Sequence, residues 1–568
     1  MDPIAVKHIK EAGLTEAIFE YRVQQPTIED DFRQFLKYDH PAGIVDRHLL
    51  HLAEQAVARV TAAQIGPCRI KEYDELNCNM DSHPGYPFCL DYVSKAQVWK
   101  RSKERVTYLW ENYANHTPMW YMIPKVALMS VDDIKKGKSR VIMAPPTDYY
   151  MLLGRLHEDF NEKMTAANLN MGSAVGCSKF HGGWHRIAKR YAKDLLLQYF
   201  SEDEAVITEG DAPRFDASVH PEIAKAAYRI RARHYNDPEY YERAMWALSQ
   251  KIYAIVVFSN GEVWIKYCGF NPGCLCTTHD NTLVNIIVHA MIYLNKGFNL
   301  TQVGALIMRM LTVGGDDTLA PGKISWMEYR DIGLWAMTED RVKHHQAIDS
   351  ASFYSCGFLK DQSTGFYVPV SNGRKMLSSA AWLDFSFLRR DDRFGKLTAL
   401  RIEAYYTEFR PLFRAICDYA FRHLKPNAPH PLDEEIHGLY VGFETDQSDP
   451  LPISVRRKEV LKNVQRWRKR WEKEEAINRK RRRRKHNRKC AGAQCTQAAA
   501  KQVYAAKKEQ ARKSSKSPII GGYWFRGDYP YWCHVKSWVR VGRQGLTPCT
   551  RRGLDQVLSD WNTRWTIG

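Results

Sequence analysis

The sequence predicts a layered α+β fold, and three features of its middle third carry that expectation. Short apolar runs end in carboxylates or tight turns: Ala205 to Gly210 leads into Asp211, and Ala305 to Val313 leads into Gly314-Gly315-Asp316-Asp317. Apolar residues at helical spacing stand between them, at Ile223, Ala226, Ala227 and Ile230 and again from Thr282 to Leu294. Two apolar runs flank Ser259-Asn260-Gly261, the signature of a hairpin over Ile252 to Trp264.

Taken in chain order, Met1 to about Ile70 alternates helix-like stretches with polar breaks. Lys71 to Pro146 is rich in Pro, Gly and aromatics and reads as extended and loop-rich. Ala205 to Gly210 is a short strand, and Pro221 suits the first turn of the helix that follows it. Ala305 to Val313 fits helix or strand by period alone; the turn after it favours a strand. From Ser454 the composition turns to basic helix and then to Ala/Lys/Ser low complexity, before Tyr523 to Trp565 becomes aromatic again. No internal repeat is visible.

With 568 residues, 44% hydrophobic and 12% aromatic, the chain has ample material for a core of more than one domain, which excludes a disordered protein. Mean hydropathy is −0.48, and the longest apolar run, Leu283 to Leu294, is interrupted by Asn285 and His289. That falls short of the ~20 residues a membrane span needs. Met1-Asp2-Pro3 begins no signal pattern, so neither a membrane-spanning nor a secreted protein is expected. Thirteen Cys, an odd number, fit a reducing compartment better than a disulfide framework.

The net charge of +19 is uneven. Residues 454–518 hold 24 Lys and Arg against 5 Asp and Glu, residues 519–568 hold 7 against 3, and residues 1–453 are left at −4. The tail includes Arg466-Trp467-Arg468-Lys469-Arg470-Trp471 and the run Arg479 to Lys485. Such density needs a polyanion to neutralise it, and nucleic acid is the expected partner through phosphate contacts. A nuclear-localisation patch or a solvated helix face would also fit. Cys490, Cys495, Cys533, His534 and Cys549 contain no Cys-x2-Cys pair and do not make a zinc site by spacing.

Chemistry is concentrated in three segments: Asp211-x4-Asp216 at a strand end, Gly273-x3-Thr277-x3-Asn281 before a helix, and Gly315-Asp316-Asp317 in a turn. Alone, the last is an ordinary turn. Two carboxylates from different strands at one sheet edge cannot both ionise cheaply without a counter-charge, and divalent cations supply it. Two such ions clamp the attacking and leaving oxygens of a phosphoryl displacement, which is the chemistry of nucleotidyl transfer.

In order and spacing these segments resemble the palm motifs of RNA-dependent RNA polymerases of positive-strand RNA viruses. Within the picornavirus-like supergroup they look closest to astrovirus-like members, on Thr277-Thr278-His279-Asp280-Asn281 followed by Val284-Asn285. Ser82-His83-Pro84-Gly85-Tyr86-Pro87 is similar to the motif that admits template. Lys125 and Lys138-Ser139-Arg140-Val141-Ile142 are similar to the fingers motif that meets the triphosphate, and Phe353 to Phe358 resembles the primer grip.

The resemblance implies a right-hand polymerase (fingers, palm and thumb) with an antiparallel palm sheet and a basic C-terminal extension. It divides the chain into 1–200 for the N-terminal and fingers region, 201–360 for the palm with an inserted fingers segment, and 361–453 for a helical thumb. A basic, partly disordered RNA-binding linker (454–518) and a small aromatic module (519–568) would follow. Asp211 and Asp316, assisted by Asp317, are implied as ligands of two Mg²⁺ or Mn²⁺ ions. Asp216 and Asn281 are implied to read the ribose 2′-OH, with Thr277 supporting them. Lys125, Lys138 and Arg140 would meet the triphosphate, and Ser82, Gly85 and Gly273 the template. Lys343 is the expected general acid, with Arg341, His344 and His345 as alternatives.

Implied partners are an RNA template and primer, nucleoside triphosphates and other viral replication proteins, with peripheral membrane association in replication complexes of the host cytoplasm. A reverse transcriptase is the rival reading, although such enzymes usually place an aromatic gate where Asp216 stands. A catalytically silent RNA-binding scaffold is the other. Two positions depart from the family. Pro272 stands where Ser is usual, and Gly314 stands where Tyr or another large residue often precedes Gly-Asp-Asp.

Overall fold

Four short strands, each antiparallel to its neighbour, run in the order Val342–His345, Ile207–Asp211, Asp317–Pro321, Thr312–Gly314. They belong to a computed structural model that describes residues 1–441, apart from 25, 41–42, 335, 383–389 and 427–429, and the backbone of Trp538–Val541 and Leu546–Pro548. The expected basic linker (454–518) and aromatic module (519–568), and the Cys490 to Cys549 set, therefore lie outside the described residues except for those two backbone segments.

Both faces of this sheet bury apolar residues, Ile207 and Leu319 on one and Val313 and Ala320 on the other. Helix Thr277–Asn295 packs on strand Thr312–Gly314, and helix Pro221–Ala232 packs on helix Thr277–Asn295. Helix Thr277–Asn295 is buried on almost every side, which explains an apolar run that lacks the one-sided period of a surface helix. Pro221 stands at the first turn of its helix, capped by the His220 ring, which accepts from the Glu222 N–H.

A second sheet supplies a platform. Met119–Pro124 pairs antiparallel with Val141–Ala144 and parallel with Ile255–Val257, which pairs antiparallel with Val263–Ile265. The backbone of Trp538–Val541 adds in parallel to Val263–Ile265. After the sheets come helices Gly373–Trp382, Arg390–Glu403, Arg410–Leu424 and Asp433–Val441. The first three of these helices bury Met376, Leu377, Phe394, Phe413 and Ile416 against Ile4, Ala5 and Ile9 of helix Pro3–Glu11, so the two ends of the described region share one small core. Each large side chain buried there contributes about 1.5–3 kcal/mol. Asp2 locks the junction: its carboxylate accepts from the Ile4 and Ala5 N–H groups and from Arg393 Nε at 2.8 Å.

Several boundaries differ from the sequence reading. Lys71 to Pro146 is not mainly loop, because helices Lys95–Arg101 and Lys103–Asn112 lie within it. Val98 and Val106 are buried in one small core and Leu109 and Trp110 in the main one, positions hidden in the sequence by the surrounding Pro and aromatic content. Leu300–Arg309 is a helix, opened by an Asn299/Gln302 capping box, and only Thr312–Gly314 is strand. The hairpin begins at Ile255, since Ile252 ends helix Pro238–Ile252. Among the described residues no helix is long and apolar enough to cross a membrane.

Candidate active site

Asp211 and Asp317 are direct cross-strand partners, and Asp316 occupies the turn that returns from Gly314 to Asp317. Carboxylates set opposite one another repel. The consequence is visible in their proton affinities. Burial, then Asp316, Asp211 and Glu209, push the Asp317 carboxyl up to about 7. Burial and Asp211 raise Asp316, while Arg140 pulls against that rise. Asp211, whose side chain is half-exposed, receives Arg341 Nη1 at 2.8 Å.

Among the described residues no three ligating side chains converge on one point. The donor set nevertheless suits a hard divalent cation. It offers three carboxylate side chains with a surplus of negative charge, and burial and like-charged neighbours raise the proton affinity of two of them.

Helix Thr277–Asn295 fixes this turn from behind. The Gly315 N–H donates to Thr282 Oγ1 at 2.9 Å, and Asn285 Nδ2 donates to the Gly315 carbonyl at 3.0 Å and to Thr318 Oγ1 at 2.9 Å. Thr282 and Asn285 were not singled out from the sequence as turn clamps. The available signal was a pair of polar residues three apart, one opening and one interrupting the apolar run of that helix.

The same helix presents Asn281 to Asp216. Asn281 Nδ2 donates to Asp216 Oδ1 at 2.5 Å, and Asn281 Oδ1 is buried without a hydrogen-bond partner among the described residues. Burial raises Asp216 to about 6 despite the Asn281 bond, with Asp316 adding to the rise. Thr277 lies on the loop but faces inward: its hydroxyl donates to the Asn271 carbonyl at 3.1 Å and to the Cys274 carbonyl at 3.0 Å. It closes the loop, and among the described residues its hydroxyl makes no hydrogen bond to the Asp216–Asn281 pair.

The glycine loops and basic residues meet at strand Val141–Ala144. Gly273 has φ +96°, and a Cβ there would lie 2.4 Å from Ile142 Cγ2. The neighbouring Pro272 needs no N–H for its contact, since its carbonyl accepts from the Met143 N–H at 2.8 Å. Gly85, at φ +73°, approaches Pro145 so closely that a Cβ would lie 2.1 Å from its carbonyl oxygen. Ser82 Oγ donates to the Asn79 carbonyl and takes Lys95 Nζ at 2.7 Å. Arg140 is exposed, and its charge reaches both Asp216 and Asp316. Lys125 is linked to it through the backbone, donating N–H to the Arg140 carbonyl at 2.9 Å. Lys138 is turned to Asp133 at 2.6 Å.

Lys343 does not reach the three carboxylates. Its Nζ sits 3.4 Å from Glu209, two residues before Asp211, and it is Arg341 that holds Asp211. His345 Nε2 also lies on Glu209, at 3.1 Å, and His344 Nε2 faces the Ile324 carbonyl at 3.0 Å.

Asp280 is the residue the sequence reading passed over. It is fully buried between Arg231 and Lys251, each at 2.7 Å, with the Tyr228 hydroxyl at 3.2 Å. Burial alone would raise its carboxyl, but Lys251 and Arg231 pull it down to about 2. Asp280 and Asn281 are about 100° apart on the helix, so one faces the ion cluster while the other faces Asp216.

The family profile described as viral RNA-dependent RNA polymerase matches residues 21–420. The chain is 26% identical over 390 residues to the non-structural polyprotein 1AB of Turkey astrovirus 1, covering 63% of the chain and 23% of the polyprotein. It is 24% identical over 406 residues to that of Ovine astrovirus 1, covering 68% and 28%. Against the genome polyprotein of Lettuce mosaic virus (strain E) it is 24% identical over 280 residues, covering 48% and 8%. The chain thus spans between 8% and 28% of the length of these relatives, which come from positive-strand RNA viruses as the motifs implied. A profile match over most of the chain, carried through the segments that set Asp211, Asp216, Asn281, Asp316 and Asp317 around one sheet edge, means that the chain belongs to the viral RNA-dependent RNA polymerase family.

Proposed function

We propose that this chain carries out template-directed RNA synthesis, adding a nucleoside monophosphate to an RNA 3′-end and releasing pyrophosphate. The observation that carries this reading is the Asp211–Asp317 pair with Asp316 in the adjoining turn. On this reading the carboxylate sheet belongs to the palm, the second sheet to the fingers and the four C-terminal helices to the thumb.

Asp211, Asp316 and Asp317 would hold two Mg²⁺ or Mn²⁺ ions, which supply activation of the 3′-hydroxyl and neutralisation of the leaving phosphates. Asp211 must exchange Arg341 for that role, which frees a guanidinium beside the site. Arg140, with Lys125 beside it and Lys138 behind Asp133, receives the triphosphate. Asn281 donates to Asp216 and keeps its carbonyl available for the ribose hydroxyl, an acceptor that a deoxyribose leaves unsatisfied. Lys343 is the proposed proton donor to pyrophosphate, held on Glu209 until substrate draws it away. The setting proposed is a membrane-associated replication complex in the host cytoplasm, alongside other viral proteins.

The test is extension of a primed RNA template by the full chain with ribonucleotides and Mg²⁺ or Mn²⁺, beside Asp316→Ala. Extension by the wild type and its loss in the variant, with RNA binding retained in both, is the expected result. RNA binding without extension under either ion would remove the polymerase reading.

A further inference from the structure

Gly314 has a reason that its own backbone does not supply. It lies in strand Thr312–Gly314 and, unlike Gly315 at φ +71°, it is not in the left-handed region. What it lacks is room. A Cβ at Gly314 would lie 1.8 Å from Tyr354 Oη, 2.3 Å from its Cζ and 2.6 Å from its Cε1. The phenol of Tyr354 therefore fills the place of a side chain at position 314.

Tyr354 is held there by a demanding turn. Strands Ser352–Phe353 and Cys356–Lys360 are joined through Tyr354 and Ser355, at φ +51° and +59°. Both central residues of a two-residue hairpin turn take positive φ, which ordinarily selects Asn and Gly. Retaining two side-chained residues in that conformation marks a place where the surroundings over-determine the backbone.

The surroundings can be named. Glu209 Oε2 accepts from the Ser352 N–H at 2.6 Å, and Glu209 Oε1 accepts from Ser352 Oγ at 2.9 Å. Glu209 stands on the strand that ends in Asp211. One closed circuit thus runs from the Asp211 strand through Glu209 to the hairpin, through Tyr354 to Gly314, and on to Asp316 and Asp317. The Tyr354 hydroxyl has no hydrogen-bond partner among the described residues, so the contact with Gly314 is one of shape.

We infer that Tyr354 is a positioning residue for the carboxylate turn: its ring, seated on Gly314, sets Asp316 and Asp317 against Asp211 for divalent-cation binding. This deepens the polymerase reading and rests on it. Supporting side chains around metal ligands are worth about 10–100-fold in metal affinity.

The experiment is a Mn²⁺ titration of the full chain, without RNA or nucleotide, followed by the electron paramagnetic resonance of free Mn²⁺. Thermal unfolding of each protein serves as the control for fold. Tyr354→Ala is expected to weaken Mn²⁺ binding by about tenfold. Gly314→Ala, whose Cβ displaces the phenol, is expected to do the same. Tyr354→Phe keeps the ring and should stay within about twofold of wild type on the same scale. The exchange Gly314→Tyr with Tyr354→Gly returns a ring to the slot from the other side and a glycine to a positive φ, and should recover most of the loss.

Wild-type affinity in both Tyr354→Ala and Gly314→Ala would overturn the inference, as would an exchange variant no better than Tyr354→Ala. Should Gly314→Ala fail to fold, Tyr354→Ala and Tyr354→Phe, which only remove atoms, still decide the matter. A wild type that binds no Mn²⁺, or binds it no better than Asp316→Ala, would instead overturn the polymerase reading itself.

Discussion

Helix Thr277–Asn295 separates two acidic centres that solve the same electrostatic problem in opposite ways. Behind it, one carboxylate, Asp280, is buried with two cations, Arg231 and Lys251, and its proton affinity falls to about 2. In front, Asp211, Asp316 and Asp317 crowd one sheet edge, and Asp317 rises to about 7. The rear centre contains its own counter-charge and is complete as folded. The front centre is deficient in positive charge and becomes complete only when cations arrive. A structural ion cluster and a site that awaits ligand can thus be told apart by which sign of charge the protein leaves in excess.

The sharpest way to break this comparison is to neutralise one carboxylate on each side. Asp280→Asn keeps the shape but strands two buried cations, and should cost about 3–5 kcal/mol of stability in equilibrium urea unfolding. Asp317→Asn removes repulsion and should leave the metal-free protein as stable as wild type or more so, while abolishing extension. Adding Lys251→Met to Asp280→Leu removes charge of both signs and should regain part of the loss. If both Asn variants lose stability equally, the front centre is structural as well and the contrast fails.

Acidity sharpens the same contrast. The Asp317 carboxyl titrates from about 7 in the folded state against an ordinary 3.8. Its contribution to stability is therefore whole below about pH 4 and is lost as pH rises through 7. Asp280 behaves conversely: its contribution is present above the ordinary value and is lost only as pH falls through 2. With metal chelated, the unfolding temperature should drop between pH 5 and 8 by about 2–4 °C more in wild type than in Asp317→Asn. Mn²⁺ should close that gap. Equal pH profiles for the two proteins would show that the repulsion read from the geometry is absent.

What the sequence made legible follows from this division. The front centre is written in local motifs, because strand ends, a glycine loop and a turn each advertise themselves by residue type and order. Asp211, Asp216, Asn281 and Asp316 could be named before any fold was known. The rear centre is assembled from three helices, with Arg231, Lys251 and Asp280 spaced irregularly along the chain. Nothing local distinguishes Asp280 from an ordinary helix-face acid, and only packing reveals its two cations. The Gly314–Tyr354 fit was hidden for the same reason: forty residues separate its halves, and the sequence showed only that position 314 was unusually small. The capping box at Asn299 could have been read, and would have assigned the first part of Ala305 to Val313 to a helix, leaving only its end as the strand before Gly-Asp-Asp.

Ribose selection is a smaller effect. Asn281→Ala removes the amide that holds Asp216 and the carbonyl left for the sugar. One hydrogen bond of this kind is worth about 1–1.5 kcal/mol, so preference for ribo- over deoxynucleotides should fall by about tenfold in competing single-nucleotide extensions. A matching fall with both sugars and no change in their ratio would move Asn281 to a purely structural part.

The smallest effect separates Arg341 from the fixed cations of the rear centre. Arg231 and Lys251 are inaccessible and permanent, but Arg341 is partly exposed and holds a half-exposed Asp211. Ion pairs in such settings are worth about 0.2–1 kcal/mol. Arg341 is thus a counter-charge that a divalent cation can displace. Arg341→Gln should tighten Mn²⁺ binding by about two- to fivefold in the absence of nucleotide, because the ion no longer competes for Asp211. Weaker binding in that variant would mean that Arg341 orients Asp211 toward the metal and does not compete with it. The front centre would then carry part of its own counter-charge, as the rear one does.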